Sequence, residues 1–109
     1  MNKGKGIGTE EIKRMSPVRD YTVMFYTYII KSKKDGKFYT GSSSDLRKRL
    51  SQHANGMSSY TKGRGPFSLI YYEACLEEGD ARSRELYLKS GMGKRYIQNR
   101  LRRFLSLTG

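Results

Sequence analysis

The chain has 109 residues, which is enough for one small domain with a modest core. Its 22 Lys and Arg outnumber its 10 Asp and Glu, and the formal net charge of +12 predicts nucleic acid as the main partner. The sequence contains neither a stretch of 18 apolar residues nor the apolar core of a secretory signal, so we expect no membrane association and a cytoplasmic location.

The N-terminal segment is rich in Gly, Lys and other polar residues and shows no sustained period. It predicts a flexible basic tail, residues 1–20, followed by a single domain over residues 21–109. The glycines between Gly4 and Gly8 do not follow a strand-like run, so they do not indicate a phosphate-binding loop, and no nucleotide cofactor is expected. The lone Cys75 cannot form an internal disulfide and is expected to be a buried thiol.

A β-hairpin is predicted next along the chain. Residues 21–30 are dense in aromatic and β-branched side chains, which suit a partly buried strand. A second strand-like run, residues 37–41, follows Asp35-Gly36, a pair that tolerates positive φ at both central positions of a tight turn. The pattern therefore predicts two antiparallel strands joined by a two-residue turn.

That turn would place two tyrosines together. With the two-residue turn, Ser32 would face Tyr39 across the hairpin. Because side chains alternate along a strand, Tyr28 and Tyr39 would then share one face of the sheet. Tyrosine is a common strand residue, so this placement alone does not indicate catalysis.

The remaining runs predict, in order, a helix, a strand and two helices, over residues 45–55, 67–75, 80–90 and 94–105. Gly56 ends the first helix, and Gly91 and Gly93 separate the last two. The last helix has an apolar stripe formed by Ile97, Leu101, Phe104 and Leu105. The order predicts an α/β (α+β) fold with a small three-stranded antiparallel sheet flanked by three helices, ββαβαα.

Three polar residues on the predicted helices are candidates for a site. Arg49 and His53 are four apart beside an apolar stripe, so both could lean over the sheet, although a solvated basic face fits the same pattern. Glu85 lies in line with apolar residues of its helix, where a carboxylate needs a partner. A salt bridge to Arg49 or Arg82 and a hard divalent cation are equally compatible with this position.

These residues together resemble the GIY-YIG nuclease superfamily. Tyr26-Thr27-Tyr28 and Tyr39-Thr40-Gly41 resemble its paired motifs, although Tyr26 replaces the first Gly and the two threonines replace isoleucines. Residues with family-like spacing follow in the order Arg49, His53, Glu85 and Asn99. The chain is most similar to small stand-alone bacterial members, related to the nuclease domain of the excision-repair endonuclease, which contain segments like 59–64 and 69–73.

The resemblance implies a metal-dependent endonuclease that hydrolyses phosphodiester bonds, with DNA expected before RNA and with a role in repair or recombination. Its catalytic residues would be Tyr28, Tyr39, Arg49, His53, Glu85 and Asn99. Glu85 would hold one divalent cation, Mg²⁺, for which Mn²⁺ would substitute.

Sequence-independent contacts to the nucleic-acid backbone are expected from Lys62, Arg64, Lys94 and Arg95. The alternative function is a non-catalytic basic nucleic-acid-binding module that retains the fold. A basic protein-interaction or ribosome-associated domain is a third reading, which explains the charge but not the combination of Tyr28, Tyr39, Arg49 and Glu85. The sequence indicates no particular protein partner and does not distinguish a DNA structure, a short sequence or single strands as the target.

Overall fold

A computed structural model describes residues 23–108 of the protein. The elements are β1 Phe25–Ser32, β2 Phe38–Ser43, α1 Leu46–Ala54, β3 Phe67–Cys75, α2 Glu78–Lys89, α3 Gly91–Arg100 and α4 Arg102–Thr108. The strands form one antiparallel sheet in the order β2-β1-β3, which confirms the predicted fold class. The predicted tail, residues 1–20, lies outside the described residues.

The described residues contain four helices rather than the predicted three. The predicted break between α2 and α3 is present but lies at Ser90, whose side chain caps α3 by accepting a hydrogen bond from the Gly93 amide at 3.2 Å, while Gly91 and Gly93 belong to α3 itself. A Cβ on Gly93 would collide with the carbonyl group of Tyr87, whose carbon would lie 2.6 Å away. The glycine therefore serves the close approach of α2 and α3. The predicted last helix is also divided, at Leu101.

The hairpin register differs from the prediction by two residues. Ile30, not Ser32, is opposite Tyr39, and Tyr28 is opposite Gly41. The connecting loop has five residues, 33–37. Gly36 is the only one of these five with a positive φ, at 73°. A shift of two residues keeps every side chain on its predicted face, so Tyr28 and Tyr39 do share one.

Side-chain bonds explain the longer loop. Ser32 Oγ accepts from the amides of Lys34 and Asp35 at 3.0 and 3.1 Å, and Asp35 Oδ1 accepts from the amide of Lys37 at 2.8 Å. Ser32 Oγ also donates to the carbonyl of Arg64 at 2.5 Å, which ties the turn to the loop before β3. The turn is therefore built by side-chain caps that the Asp-Gly signal does not reveal.

The sheet has an apolar core on each face. Tyr28, Ile30 and Tyr39 form one core, which α1 covers through Leu46 and Leu50. The other core contains Ile29, Leu88 and Ile97, which come from β1, α2 and α3. Each helix layer therefore meets the central strand on its own face.

Two details of the predicted burial change. In the predicted stripe of the last helix Ile97 is buried, whereas Phe104 is exposed on α4. Cys75 is half-buried at the end of β3 rather than buried. No helix within residues 23–108 is both long enough and apolar enough to cross a membrane.

Candidate functional site

A pocket of about 110 Å³ lies beside the edge strand β2, and we call it the tyrosine pocket. Residues from β1, β2, α1, α2 and the loop before β3 line it. It includes all the predicted catalytic residues except Asn99: Tyr28, Tyr39, Arg49, His53 and Glu85. The rest of its wall is formed by Thr40, Gly41, Ser42, Tyr60 and Lys89. Residues that are far apart in sequence therefore converge on one small cavity.

Tyr28 crosses β2 because the residue opposite it is a glycine. A Cβ on Gly41 would lie 2.6 Å from Cζ of the Tyr28 ring and closer still to its hydroxyl. The ring is buried, and its hydroxyl reaches His53 Nε2 at 2.8 Å. Burial raises the pKa of Tyr28, and the nearby Arg49 guanidinium opposes that rise.

His53 is the buried partner of Tyr28. It lies in the last turn of α1, and its second nitrogen, Nδ1, is 2.6 Å from Thr61 Oγ1. Burial and the neighbouring Arg49 lower the pKa of His53 below its ordinary value of 6.5, which favours the neutral ring at neutral pH. A neutral imidazole has one donor and one acceptor nitrogen. When Nδ1 donates to Thr61, Nε2 is therefore an acceptor for the Tyr28 proton.

Tyr39 contributes its ring to the pocket, while its hydroxyl points to the hairpin turn. The hydroxyl donates to Asp35 Oδ2 at 3.0 Å, and the ring meets Tyr60 and Phe67 edge-on at centroid distances of 5.2 and 5.9 Å. Burial, and secondly the bond to Asp35, raise the pKa of Tyr39. Tyr39 is therefore a neutral, well-packed wall of the pocket.

Glu85 approaches from the opposite face of the sheet. Its Oε1 accepts from the Ser42 hydroxyl at 2.7 Å, and its Oε2 pairs with Lys89 Nζ at 2.9 Å. The ion-pair partner is thus Lys89 rather than Arg49 or Arg82, since Arg82 pairs with Glu78 at 3.2 Å. The pocket combines two cations, Arg49 and Lys89, with one carboxylate, so it suits an anionic group such as a phosphodiester.

The donor set fits a hard cation with few protein ligands. Among residues 23–108 no group of three or more His, Cys, Asp and Glu is placed to hold a metal ion. Glu85 supplies a single carboxylate next to the Ser42 hydroxyl. Mg²⁺ keeps several waters and commonly takes one or two carboxylates, whereas zinc requires three or four nitrogen, sulphur or oxygen ligands. The residues present therefore fit Mg²⁺ or Mn²⁺ and do not fit zinc.

The structure does not bring Asn99 to the tyrosine pocket. Asn99 is exposed on α3 and accepts a hydrogen bond from Arg102. Ile97 carries the buried face of α3, and two residues along a helix correspond to about 200° of rotation, which turns Asn99 away from the sheet. Asn99 therefore lies outside the tyrosine pocket.

The four predicted backbone-contact residues are exposed, in two groups: Lys62 and Arg64 in the loop before β3, and Lys94 and Arg95 on α3. Lys94 lines a second cavity, which shares part of its wall with the tyrosine pocket. Arg64 lies beside Tyr39, with its guanidinium carbon 6.0 Å from the ring centroid. Their contact with nucleic acid remains a prediction.

Three residues that line the pocket were not among the predicted site residues: Lys89, Ser42 and Tyr60. Lys89 follows Glu85 by four residues, a spacing that places both on one helix face, so the ion pair could have been predicted. Ser42 lies on the same face of β2 as Thr40, and helix α2 covers that face. Tyr60 comes from an irregular loop, and no periodic signal indicates where its ring lies.

Comparisons with known proteins indicate the family of the chain. A family model described as the GIY-YIG catalytic domain matches residues 24–100. A UPF0213 protein of Clostridium perfringens is 46% identical over 67 residues, which cover 61% of this chain and 71% of that protein. A UPF0213 protein of Staphylococcus saprophyticus is 42% identical over 66 residues, covering 60% of this chain and 79% of the relative.

A solution NMR structure of a UPF0213 protein from Bacillus halodurans is 35% identical, covers 70% of this chain and 83% of its own, and has a TM-score of 0.45. These names state no activity or substrate. The family match, in contrast, extends over more than half of the chain and over the tyrosine pocket. The chain belongs to the GIY-YIG family.

Proposed function

We propose that the protein is a metal-dependent endonuclease that hydrolyses phosphodiester bonds in nucleic acid, with DNA as the expected substrate and with a role in repair or recombination. Membership of the GIY-YIG family indicates a nuclease. The observation that carries the proposal is the convergence of the Tyr28–His53 pair, Arg49 and Glu85 on one pocket. Hydrolysis requires an activated water, charge neutralisation on the phosphate and stabilisation of the leaving oxygen.

The Tyr28–His53 pair is the proposed base. As a water attacks phosphorus, its proton passes to the Tyr28 oxygen, while the Tyr28 proton passes to His53 Nε2. The 2.8 Å separation of these two atoms supports the second transfer. Since the pKa of Tyr28 is raised, Tyr28 does not ionise beforehand, and a transfer coupled to water attack is the route that its surroundings favour.

Arg49 and Lys89 are the proposed phosphate partners. Arg49 is half-buried, and Gln52 and Ser58 hold its guanidinium, with Nη1 at 3.0 Å from Gln52 Oε1. A guanidinium that is already positioned can pair with two phosphate oxygens through its planar fork. Lys89 can turn from Glu85 towards the phosphate because its stem is flexible.

Glu85 is the residue that would hold Mg²⁺ or Mn²⁺, which when bound supplies positive charge against the phosphate and the leaving oxygen. The Ser42 bond to Oε1 fixes the orientation of the carboxylate. Ser42 is therefore a positioning residue for Glu85. The proposed catalytic residues are Tyr28, His53, Arg49 and Glu85, with Tyr39 shaping the pocket.

The test is a cleavage panel with labelled single-stranded, double-stranded, flapped and branched DNA and matched RNA, in Mg²⁺ or Mn²⁺. We expect cleavage of at least one substrate, loss of cleavage with a chelator, and a fall of about 100-fold or more in turnover for Glu85→Gln. Glu78→Gln, an exposed glutamate on the same helix, is the matched control and should cleave normally.

Undiminished cleavage by Glu85→Gln, or cleavage in the presence of the chelator, would refute the proposed role of the metal. Binding of the substrates by the wild-type chain without cleavage of any would favour the non-catalytic nucleic-acid-binding module instead. Binding should be retained in Glu85→Gln, because removing a negative charge does not weaken attraction to a polyanion.

A further inference from the structure

A larger cavity of about 510 Å³ adjoins the tyrosine pocket, and we call it the side cavity. The two share Thr40, Tyr60 and Lys89, so a bound molecule could extend from one into the other. The volume lies within the range of about 300–1,000 Å³ that is typical of small-molecule sites. The proposed hydrolysis does not use this cavity.

The floor and the rim of the side cavity differ in chemistry. Its floor consists of Ile29, Leu88 and Ile97, each buried in the core on that face of the sheet. Its rim carries Lys37 and Lys94, both exposed. An apolar ligand alone would not need the lysines, and an inorganic anion alone would not need an apolar floor.

A nucleotide satisfies both parts of the cavity. Its base is a flat, weakly hydrated ring that gains from stacking and apolar contact, and its phosphates pair with lysines. Gln98 also lines the cavity and offers an amide donor and acceptor for the edge of a base. The half-exposed Tyr60 ring stands at the junction of the two cavities, with Lys89 Nζ 5.4 Å from its centroid.

We propose that the side cavity binds the base of a nucleotide adjacent to the phosphate in the tyrosine pocket. The inference rests on the proposed function, which puts the phosphate there. A base that enters the cavity has left its stack and its pairing partner. The preferred substrate is therefore nucleic acid with an unpaired nucleotide at the cleavage point.

Binding of the base can be tested separately from binding of the phosphate. The wild-type chain, labelled with ¹³C in the Ile and Leu methyl groups, is titrated in an NMR experiment with deoxynucleoside 5′-monophosphates and, separately, with 2-deoxyribose 5-phosphate, which has no base. Because an aromatic base shifts nearby methyl resonances, the mononucleotides should shift the methyls of Ile29, Leu88 and Ile97. The sugar phosphate should leave them in place.

A second measurement uses substrates of ordinary length. In the Glu85→Gln background, which should not cleave, a single-stranded oligonucleotide should bind on the order of tenfold more tightly than the same oligonucleotide with abasic residues. Gln98→Trp, which places a large side chain at the cavity, should abolish this difference. Met92→Trp, at an exposed position on the same helix outside the cavity, should retain it.

In the NMR titration, the proposal is overturned if the mononucleotides and the sugar phosphate shift the cavity methyls alike, or if neither shifts them. In the binding measurement, it is overturned if Gln98→Trp still binds the ordinary oligonucleotide more tightly than the abasic one, by as much as the parent does. These experiments need no cleavage, so they separate the two claims. Base discrimination in a chain that cleaves nothing would refute hydrolysis alone, and cleavage without base discrimination would refute the base site alone.

Discussion

Replacing Gly41 with alanine tests the geometry of the tyrosine pocket with a single methyl group. The added Cβ would lie 2.6 Å from Cζ of Tyr28 and nearer to its hydroxyl, well inside van der Waals contact. The Tyr28 ring is 2% exposed and is enclosed by the core, so it cannot move without disturbing its neighbours. We expect the ring to be displaced and its bond to His53 to break.

The magnitude follows from two effects. Overpacking a well-packed core costs about 1–3 kcal/mol, and losing a buried hydrogen bond costs about 1 kcal/mol more. The free energy of unfolding should therefore fall by about 2–4 kcal/mol. Turnover should fall by about 10²–10⁴, the contribution of a positioned general base, because Tyr28 and His53 would no longer share a proton.

The assays are urea unfolding and cleavage of the best substrate from the panel. Gly79→Ala is the matched control, because a Cβ there meets nothing within 4 Å and alanine is favoured over glycine in a helix such as α2. It should leave turnover unchanged and preserve or raise the free energy of unfolding. A Gly41→Ala chain with wild-type turnover and stability would refute the argument that Gly41 positions Tyr28.

Three further outcomes follow. Gly93→Ala should lower the free energy of unfolding by more than about 3 kcal/mol, as measured by urea unfolding. The added Cβ collides with the Tyr87 carbonyl, and a backbone group cannot rotate out of the way as a side chain can. The pH profile of turnover should stay level down to about 6.5 and fall only below it, because the neutral form of His53 acts and its pKa is lowered. Asn99→Ala should leave turnover unchanged in the cleavage assay, since Asn99 lies outside the pocket.

A specific result would contradict each of these three predictions. A Gly93→Ala chain as stable as the parent would show that α2 and α3 can separate freely. A turnover that already falls above pH 6.5 would contradict a lowered pKa for His53, or its role as acceptor. A large loss of turnover in Asn99→Ala would show that Asn99 has the catalytic role that the resemblance implies, although it lies outside the pocket.

The hairpin shows what a sequence can and cannot predict here. The faces of Tyr28 and Tyr39 were predicted because alternation depends only on parity, which a shift of two residues preserves. The pairing itself was wrong, because hydrogen bonds of Ser32 and Asp35 build a five-residue loop in place of a two-residue turn. Local side-chain caps compete with the turn signal and are not evident from the dipeptide.

The two glycines after α2 show a second limit. Glycine was interpreted as a helix breaker, which is its commonest local effect. Gly93 instead lies inside α3, where the missing side chain lets the backbone of α2 approach. This role depends on tertiary packing, so propensity alone cannot predict it.

Within the site, helix periodicity made Arg49, His53 and Glu85 candidates without deciding between a solvated face, a salt bridge and a site, and only the resemblance gave them catalytic roles. Their partners were harder to predict. Thr61, which completes the hydrogen bonds of His53, and Tyr60, which joins the two cavities, come from an irregular loop. Hydrogen bonds to the hairpin turn fix that loop, for example from Ser32 Oγ to the carbonyl of Arg64, so its position is a long-range property.

The edge position of β2 explains how groups from both faces of the sheet reach one pocket. Tyr28 lies on the face that α1 covers, whereas Ser42 and its partner Glu85 lie on the face that α2 covers. Since β2 is the outer strand of the sheet formed by the described residues, side chains from both layers can meet around it. Gly41 completes this arrangement, because the absence of a side chain lets Tyr28 cross the strand towards Glu85. Catalysis should therefore be most sensitive to bulk added along β2, and much less sensitive to bulk added on β3, the strand at the other edge of the sheet.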